Sequence, residues 1–299
     1  MKKYIFIFIT VFFGCFSISQ AQVSNSEKSD LLLSVIFKLE NMRDNAIADI
    51  QKYESTIQKC DNTISRSENI IQLARKEGNS EAEKIIYGIA FNCGLKFPVH
   101  SDSQIDSVVN IMKDYPQFYL AMQAEGREWV NMFSKESIAK FDYVFTDAMT
   151  FTDEKGRRNR IWLKEETWID DEQAFMEHYV NTIVKIMSEE PINIYVNPTF
   201  LPAQMADRYD SFWTRDRMDR VIKAAKANNI AIEINNRYKI PSLEFIKRAH
   251  KAGVLFTVGT NNTDGNFSGA EYAREMIKKC RLTINDFYQP VNKRLNGQH

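Results

Sequence analysis

Six short apolar runs, each followed by a helical stretch and each carrying a carboxamide or carboxylate at or near its C-terminal end, constrain this chain more than anything else in it. The runs are IIYGIAFN (85–92), QFYLAMQAE (117–125), FDYVFTDAM (141–149), INIYVNPTF (192–200), IAIEINN (230–236) and LFTVGTNN (255–262). Apolar spacing predicts helices near 104–113, 134–140, 171–188, 214–228, 242–251 and 269–279. Short β-branched and aromatic runs read as strands. Strands separated by helices pair in parallel and are covered by helices on their faces. The expected class is α/β: a distorted, incomplete (β/α) barrel of about six parallel strands over 81–299. An open doubly wound sheet is the alternative.

The first 80 residues have a different pattern. MKKYIFIFITVFFGCFSISQAQ has a basic start, an apolar run from Tyr4 to Phe13, and small residues at Ser19 and Ala21. That is the layout of a secretory signal over 1–21. Its apolar run is too short to span a membrane. The expected location is therefore periplasmic or extracellular, with lipid attachment at Cys15 as a minor alternative. Residues 22–80 read as a helical stalk. Within it Ile50, Tyr53, Ile57, Cys60, Ile64, Ser67, Ile71 and Ala74 alternate at spacings of three and four. This is a heptad seam that serves either a hairpin packed on the main domain or self-association into a homo-oligomer.

With 39 basic and 39 acidic residues, the chain has no bulk charge to hold a nucleic acid. Cys60, Cys93 and Cys280 are too few and too widely spaced for a disulfide framework or a zinc pair, and read as buried thiols. No G-x-S-x-G elbow is present. Cys93 has no evident base beside it. Of the four histidines only His100 follows a strand, and it reads as a solvated loop residue.

The strand ends carry the functional signal. In order they bear Asn92, Glu125, Asp147, Asn197, Glu233 with Asn235 and Asn236, and Asn261 with Asp264. Parallel α/β sheets gather their sites along this edge. Thr260–Asp264 accordingly reads as a site rim rather than a plain turn. Glu125, Asp147, Glu233 and Asp264 are hard oxygen donors suited to a divalent cation. Arg127 and Arg237 lie just beyond strand-end glutamates. Each either grips an anionic substrate or closes a structural salt bridge.

Several of these stretches resemble the PHP (polymerase and histidinol phosphatase) superfamily. AIEINNRYKIPSLEFIKRAHKAGVLFTVGTNN is similar to its C-terminal third, FDYVFTDAM and IYVNPTFLP to two strands that end in metal-binding histidines, and LAMQAEGREW to the strand with a bridging glutamate. The resemblance covers about 85–290. It implies a distorted barrel of seven strands, a site for Mn, Zn, Fe or Mg, and phosphoester hydrolysis. Carried over, Glu125 matches the bridging glutamate. Asp147 or Ala148 falls where one histidine is expected, Asn197 replaces another, and Asn261 and Thr263 replace the aspartate and histidine of the last loop. The family's His-x-His strand is absent, and the stalk stands in its place.

Two functions follow from that resemblance. One is an exported metal-dependent hydrolase of phosphoesterase type, with Glu125, Asp147, Asn197, Glu233, Asn261 and Asp264 as metal donors and Glu125, Asp147, Arg127 and Arg237 in catalysis. The other is a degenerate relative with weak or no activity that binds a small anionic or polar molecule. A purely structural envelope protein is a third.

Overall fold

The computed structural model describes residues 88–293, apart from 115, 117 and 260–269. The signal segment, the stalk with its heptad seam, and Asn261, Thr263 and Asp264 lie outside the described residues. Six strands form one parallel sheet: β1 (Gly88–Cys93), β2 (Tyr119–Ala124), β3 (Tyr143–Thr146), β6 (Ile194–Tyr195), β7 (Ala231–Asn235) and β8 (Phe256–Gly259). Two further strands, β4 (Thr150–Thr152) and β5 (Arg158–Arg160), form a separate antiparallel hairpin. The main sheet runs in chain order without a reversal. A doubly wound sheet must reverse its winding at a switch point, so that alternative fails. Sequential parallel winding is the barrel pattern. Among the described residues the sheet does not pair β8 with β1 and stays open there.

All six expected helices are present: α1 (Asp102–Met112), α2 (Lys135–Ile138), α3 (Glu172–Glu189), α5 (Arg215–Ala227), α6 (Leu243–Lys251) and α7 (Glu271–Cys280), with a short α4 (Tyr209–Phe212) not foreseen. Their starts are set locally. Ser134, Asp171, Thr214 and Ser242 each accept a hydrogen bond from the backbone N–H three residues on. Such caps satisfy one of the amides a helix start leaves open. Behind the cap, α3 buries Phe175, Met176, Tyr179, Val180, Ile183, Ile186 and Met187 along one stripe. Among the described residues no helix is long and apolar enough to cross a membrane.

Registered neighbours in a sheet share a face. On one face lie Leu120, Met122, Val144, Tyr195, Ile232, Ile234 and Phe256, all buried and part of the core with the helices. On the other lie Asn92, Gln123, Phe145, Ile194, Ala231, Glu233 and Asn235. Asn92, Gln123, Glu233 and Asn235 therefore share the inner face.

The segment after α7 straps the opposite, N-terminal edge of the sheet. Tyr288 N donates to Phe256 O at the start of β8 (2.9 Å). Asn292 Nδ2 donates to Pro116 O ahead of β2 (3.0 Å). Buried Asp142 accepts from Leu120 N and from Lys293 N, both at 2.7 Å. One carboxylate thus joins β2, the start of β3 and the strap. Asp142→Ala removes two charge-assisted bonds and leaves their amides unpaired. It should lower the unfolding free energy by about 2–4 kcal/mol in a urea titration, whereas a loss under about 0.5 kcal/mol would show that the strap does not brace the sheet.

Candidate functional site

The inner-face polar residues meet at the C-terminal edge of the strands. Asn197 organises the centre. Its backbone is left-handed (φ 50°), a conformation that asparagine tolerates better than most residues. In that turn its N–H donates to Glu233 Oε2 (2.7 Å), its Nδ2 donates to Asp147 Oδ2 (2.8 Å), and its Oδ1 accepts from Asn235 Nδ2 (3.0 Å). Asn235 Nδ2 also reaches Glu233 Oε2 (3.1 Å), and Met149 N donates to Asp147 Oδ1 (2.9 Å). The ends of β3, β6 and β7 are joined by one continuous polar chain. Two residues on, Thr199 is also left-handed (φ 60°) and buried, held by the Tyr209 hydroxyl at 2.6 Å. Strain of this kind in a β-branched residue collects at functional sites.

Glu125 forms the other wall. Its Oε1 accepts from Gln123 Nε2 (2.7 Å) and from Asn92 Nδ2 (3.4 Å). Each glutamate packs against a glycine, Glu125 through its backbone against Gly94 just after β1, and Glu233 through its carboxylate against Gly259 of β8. A Cβ on Gly94 would lie 2.6 Å from Glu125 O, and one on Gly259 would lie 1.6 Å from Glu233 Oε1. Only hydrogen fits at those positions, and at Gly259 it makes the room that the Glu233 carboxylate occupies.

Three carboxylates in one partly dry site disfavour one another's charge. Burial, then the Asp147 charge, pushes Glu125 up to about 7, against bonds from Gln123 and the Arg127 charge that favour ionisation. Burial raises Asp147, offset in part by Asn197. Burial likewise raises Glu233, offset by Asn197 N–H and Asn235. A carboxyl with its transition near neutrality, beside amides that both donate and accept, can exchange a proton with a bound ligand.

No protein-family model matches the chain, and no curated protein does. Among solved structures it is similar to histidinol phosphate phosphatase from Lactococcus lactis subsp. lactis, crystallised with zinc, L-histidinol and phosphate. That match has 15% identity, covers 68% of this chain and 84% of the other, and has a TM-score of 0.44.

The structure brings together Glu125, Asp147, Asn197 and Glu233 from the expected donor set. Arg127 takes the second of its two readings. Its Nη1 pairs with Glu190 (2.8 and 3.0 Å) and its Nη2 donates to Thr146 Oγ1 (2.7 Å), so it closes a structural bridge. Glu190, missed in the sequence because it sits 63 residues away, also accepts from Trp129 Nε1 (2.9 Å). Arg237 is exposed, with its guanidinium 5.7 Å from the Tyr238 ring centroid. His100 is exposed and Cys93 and Cys280 are buried free thiols, as expected. Asn236 serves the frame instead, donating to Gly259 O (3.0 Å) and accepting from Ala273 N (2.9 Å).

As a metal centre the described residues do not fit. No group of three or more His, Cys, Asp or Glu among them is placed to hold an ion. Both oxygens of Asp147 and one each of Glu125 and Glu233 already accept from amides. Asn261 and Asp264 lie outside the described residues.

Two outcomes follow. A glutamate raised from an ordinary 4.5 to about 7 keeps its proton in the folded state after the unfolded chain has lost it. Stability is then lost as pH rises through that window. The gap between Glu125→Gln and wild type should widen, in favour of the variant, by about 2–3 kcal/mol between pH 4.5 and 7.5. A pH-independent gap would rule the shift out. In addition, Gly259→Ala should cost about 2–4 kcal/mol by displacing the Glu233 carboxylate. In a Glu233→Ala background it should cost far less, and additive losses would mean that the two do not touch.

Proposed function

We propose that this chain is an exported, PHP-like barrel protein with a degenerate site, which binds a small polar or anionic molecule and has weak or no phosphoesterase activity. Its sequence resemblance and its singly wound sheet support the framework. The observation that carries the rest is the Asp147–Asn197–Asn235–Glu233 chain. Where the resemblance calls for one of the histidine ligands, the carboxamide of Asn197 stands and holds Asp147, while its backbone N–H holds Glu233. Such a lining matches a ligand rich in hydroxyl, amine or carboxyl groups, since carboxamides donate and accept at once. Among the described residues the hydrogen bonds to the Glu125 carboxyl fall on Oε1, and Glu125 is the group that would exchange a proton with the ligand.

The second reading is an active metal-dependent hydrolase. It is favoured by the convergence of Glu125, Asp147, Asn197 and Glu233 on one edge. It requires Asn261 and Asp264 to complete a site for Mn, Zn, Fe or Mg.

Metal analysis by mass spectrometry, on mature protein purified without chelator and again after metal is added back, separates the two. The proposed function expects well below one equivalent of any divalent metal and phosphomonoester hydrolysis at background. It also expects thermal stabilisation by some member of a panel of polyols, amino acids and carboxylates that is lost in Glu125→Ala. Near-stoichiometric metal that falls in both Glu125→Ala and Asp147→Ala would overturn it in favour of the hydrolase.

A further inference from the structure

The connection from β3 to α3 departs from the strand–helix repeat. It carries the β4–β5 hairpin, and long ordered βα connections at a barrel's C-terminal edge are where specificity is usually built. This one is tied down throughout. Arg157 pairs with Asp153 (2.7 Å) and Asp170 (2.6 Å). Buried Asn159 accepts from Trp168 N (2.8 Å), and buried Ile161 donates its N–H to Met149 O (2.9 Å). On this firm support Trp162 and Trp168 stand 42% and 47% exposed, while Trp129 and Trp213 are buried in the core.

Trp162 lies two residues beyond β5, the strand whose first residue reaches the crevice wall. Arg158, on β5, pairs with Glu128, and its Nη2 lies 3.3 Å from where a Cβ on Gly126 would sit, one residue from Glu125. Arg160, two residues on, shares that face of the strand. It makes a two-point pair with Glu166, and its guanidinium lies 5.9 Å from the Trp162 ring centroid. The Arg160 bond is the main cause that holds the Glu166 carboxyl low, with Lys96 a further contributor, which places the loop after β1 close by. Leu95 in that loop is 59% exposed. Trp168 belongs to the other face, with Arg157.

The rim is therefore an exposed indole with the Arg160 guanidinium over one face, the other face free to stack, and ion pairs beside it that keep spare donors and acceptors. Arg158 and Arg160 are each matched by a carboxylate, so these pairs offer little free charge to a phosphate chain. Its polar edge does not match a lipid or an apolar peptide. A sugar ring matches on both counts: its C–H face stacks on indole, and its hydroxyls both donate and accept. We propose that the Trp162 rim is a subsite for a sugar ring of a neutral glycan, stacked on the indole and hydrogen-bonded to the Arg158–Glu128 and Arg160–Glu166 pairs. This rests on the reading that the strand C-terminal edge is the ligand face, and uses no crevice chemistry.

The test is titration of the mature chain with hexasaccharides of glucose (β1-4 and α1-4), xylose, mannose and N-acetylglucosamine, by tryptophan fluorescence and calorimetry. Saturable binding of at least one, with a shift in tryptophan emission, is expected. Trp162→Ala should weaken it about tenfold or more, Trp162→Phe less, and Trp168→Ala by under about threefold. No saturable binding to any of the five, or equal binding by Trp162→Ala, would overturn the proposal. So would Trp162-dependent self-association in sedimentation without sugar. The two readings fail separately, since Glu125 is followed by its titration and the rim by Trp162.

Discussion

The Glu233 carboxylate is the point on which the functional half of this molecule depends. It is buried, and it accepts from the Asn197 backbone and the Asn235 side chain. Burying a carboxylate is costly unless hydrogen bonds replace its water. The surroundings supply that replacement. Asn197 adopts a left-handed turn to present its N–H, Asn235 lends an amide proton, and Gly259 gives up a side chain so that the carboxylate can lie against β8. The strand β6 is only two residues long, so this polar chain does at its end what a longer hydrogen-bond ladder would otherwise do.

The same arrangement limits the chemistry. A carboxamide binds carboxylates well, and Asn197 ties Asp147 and Glu233 into one hydrogen-bonded network. Among the described residues Glu125 and Glu233 each keep one oxygen outside these bonds, and the charge of Glu125 is disfavoured by burial and by Asp147. Arg127 moderates both acids while being held by Glu190 and Thr146. Its charge favours ionisation of Glu125 and Asp147 from that fixed position. Beside this network stands a separate, exposed rim built by the β3–α3 connection, with its own chemistry of aromatic face and paired charges.

Much of the fold was legible in the chain. Strand runs such as AIEIN and helix starts such as Ser242-Leu243-Glu244-Phe245 announce themselves through periodicity and caps, which act over a few residues. The strand-end polar residues were legible for the same reason, since the residue after an apolar run falls at the sheet edge. The β4–β5 hairpin was not. Its strands are three residues each, too short to show alternation, and Arg158-Asn159-Arg160 reads as solvated charge. The role of Gly259 was hidden too: it looks like the end of a strand, and the carboxylate that needs it lies 26 positions earlier in the chain.

The sequence by itself determined the α/β class, the order of its elements and the set of oxygen and amide groups at the site edge, because those depend on local pattern. Only the tertiary structure decided what each group does. Winding in one direction excluded the doubly wound sheet. Glu190 claimed Arg127, Asn197 claimed Asp147 and Glu233, and burial beside Asp147 left Glu125 as the acid that titrates near neutrality. Those outcomes turn on which side chains meet across 36 to 63 residues of chain and how much water is removed when they do. Neither is encoded in any local spacing.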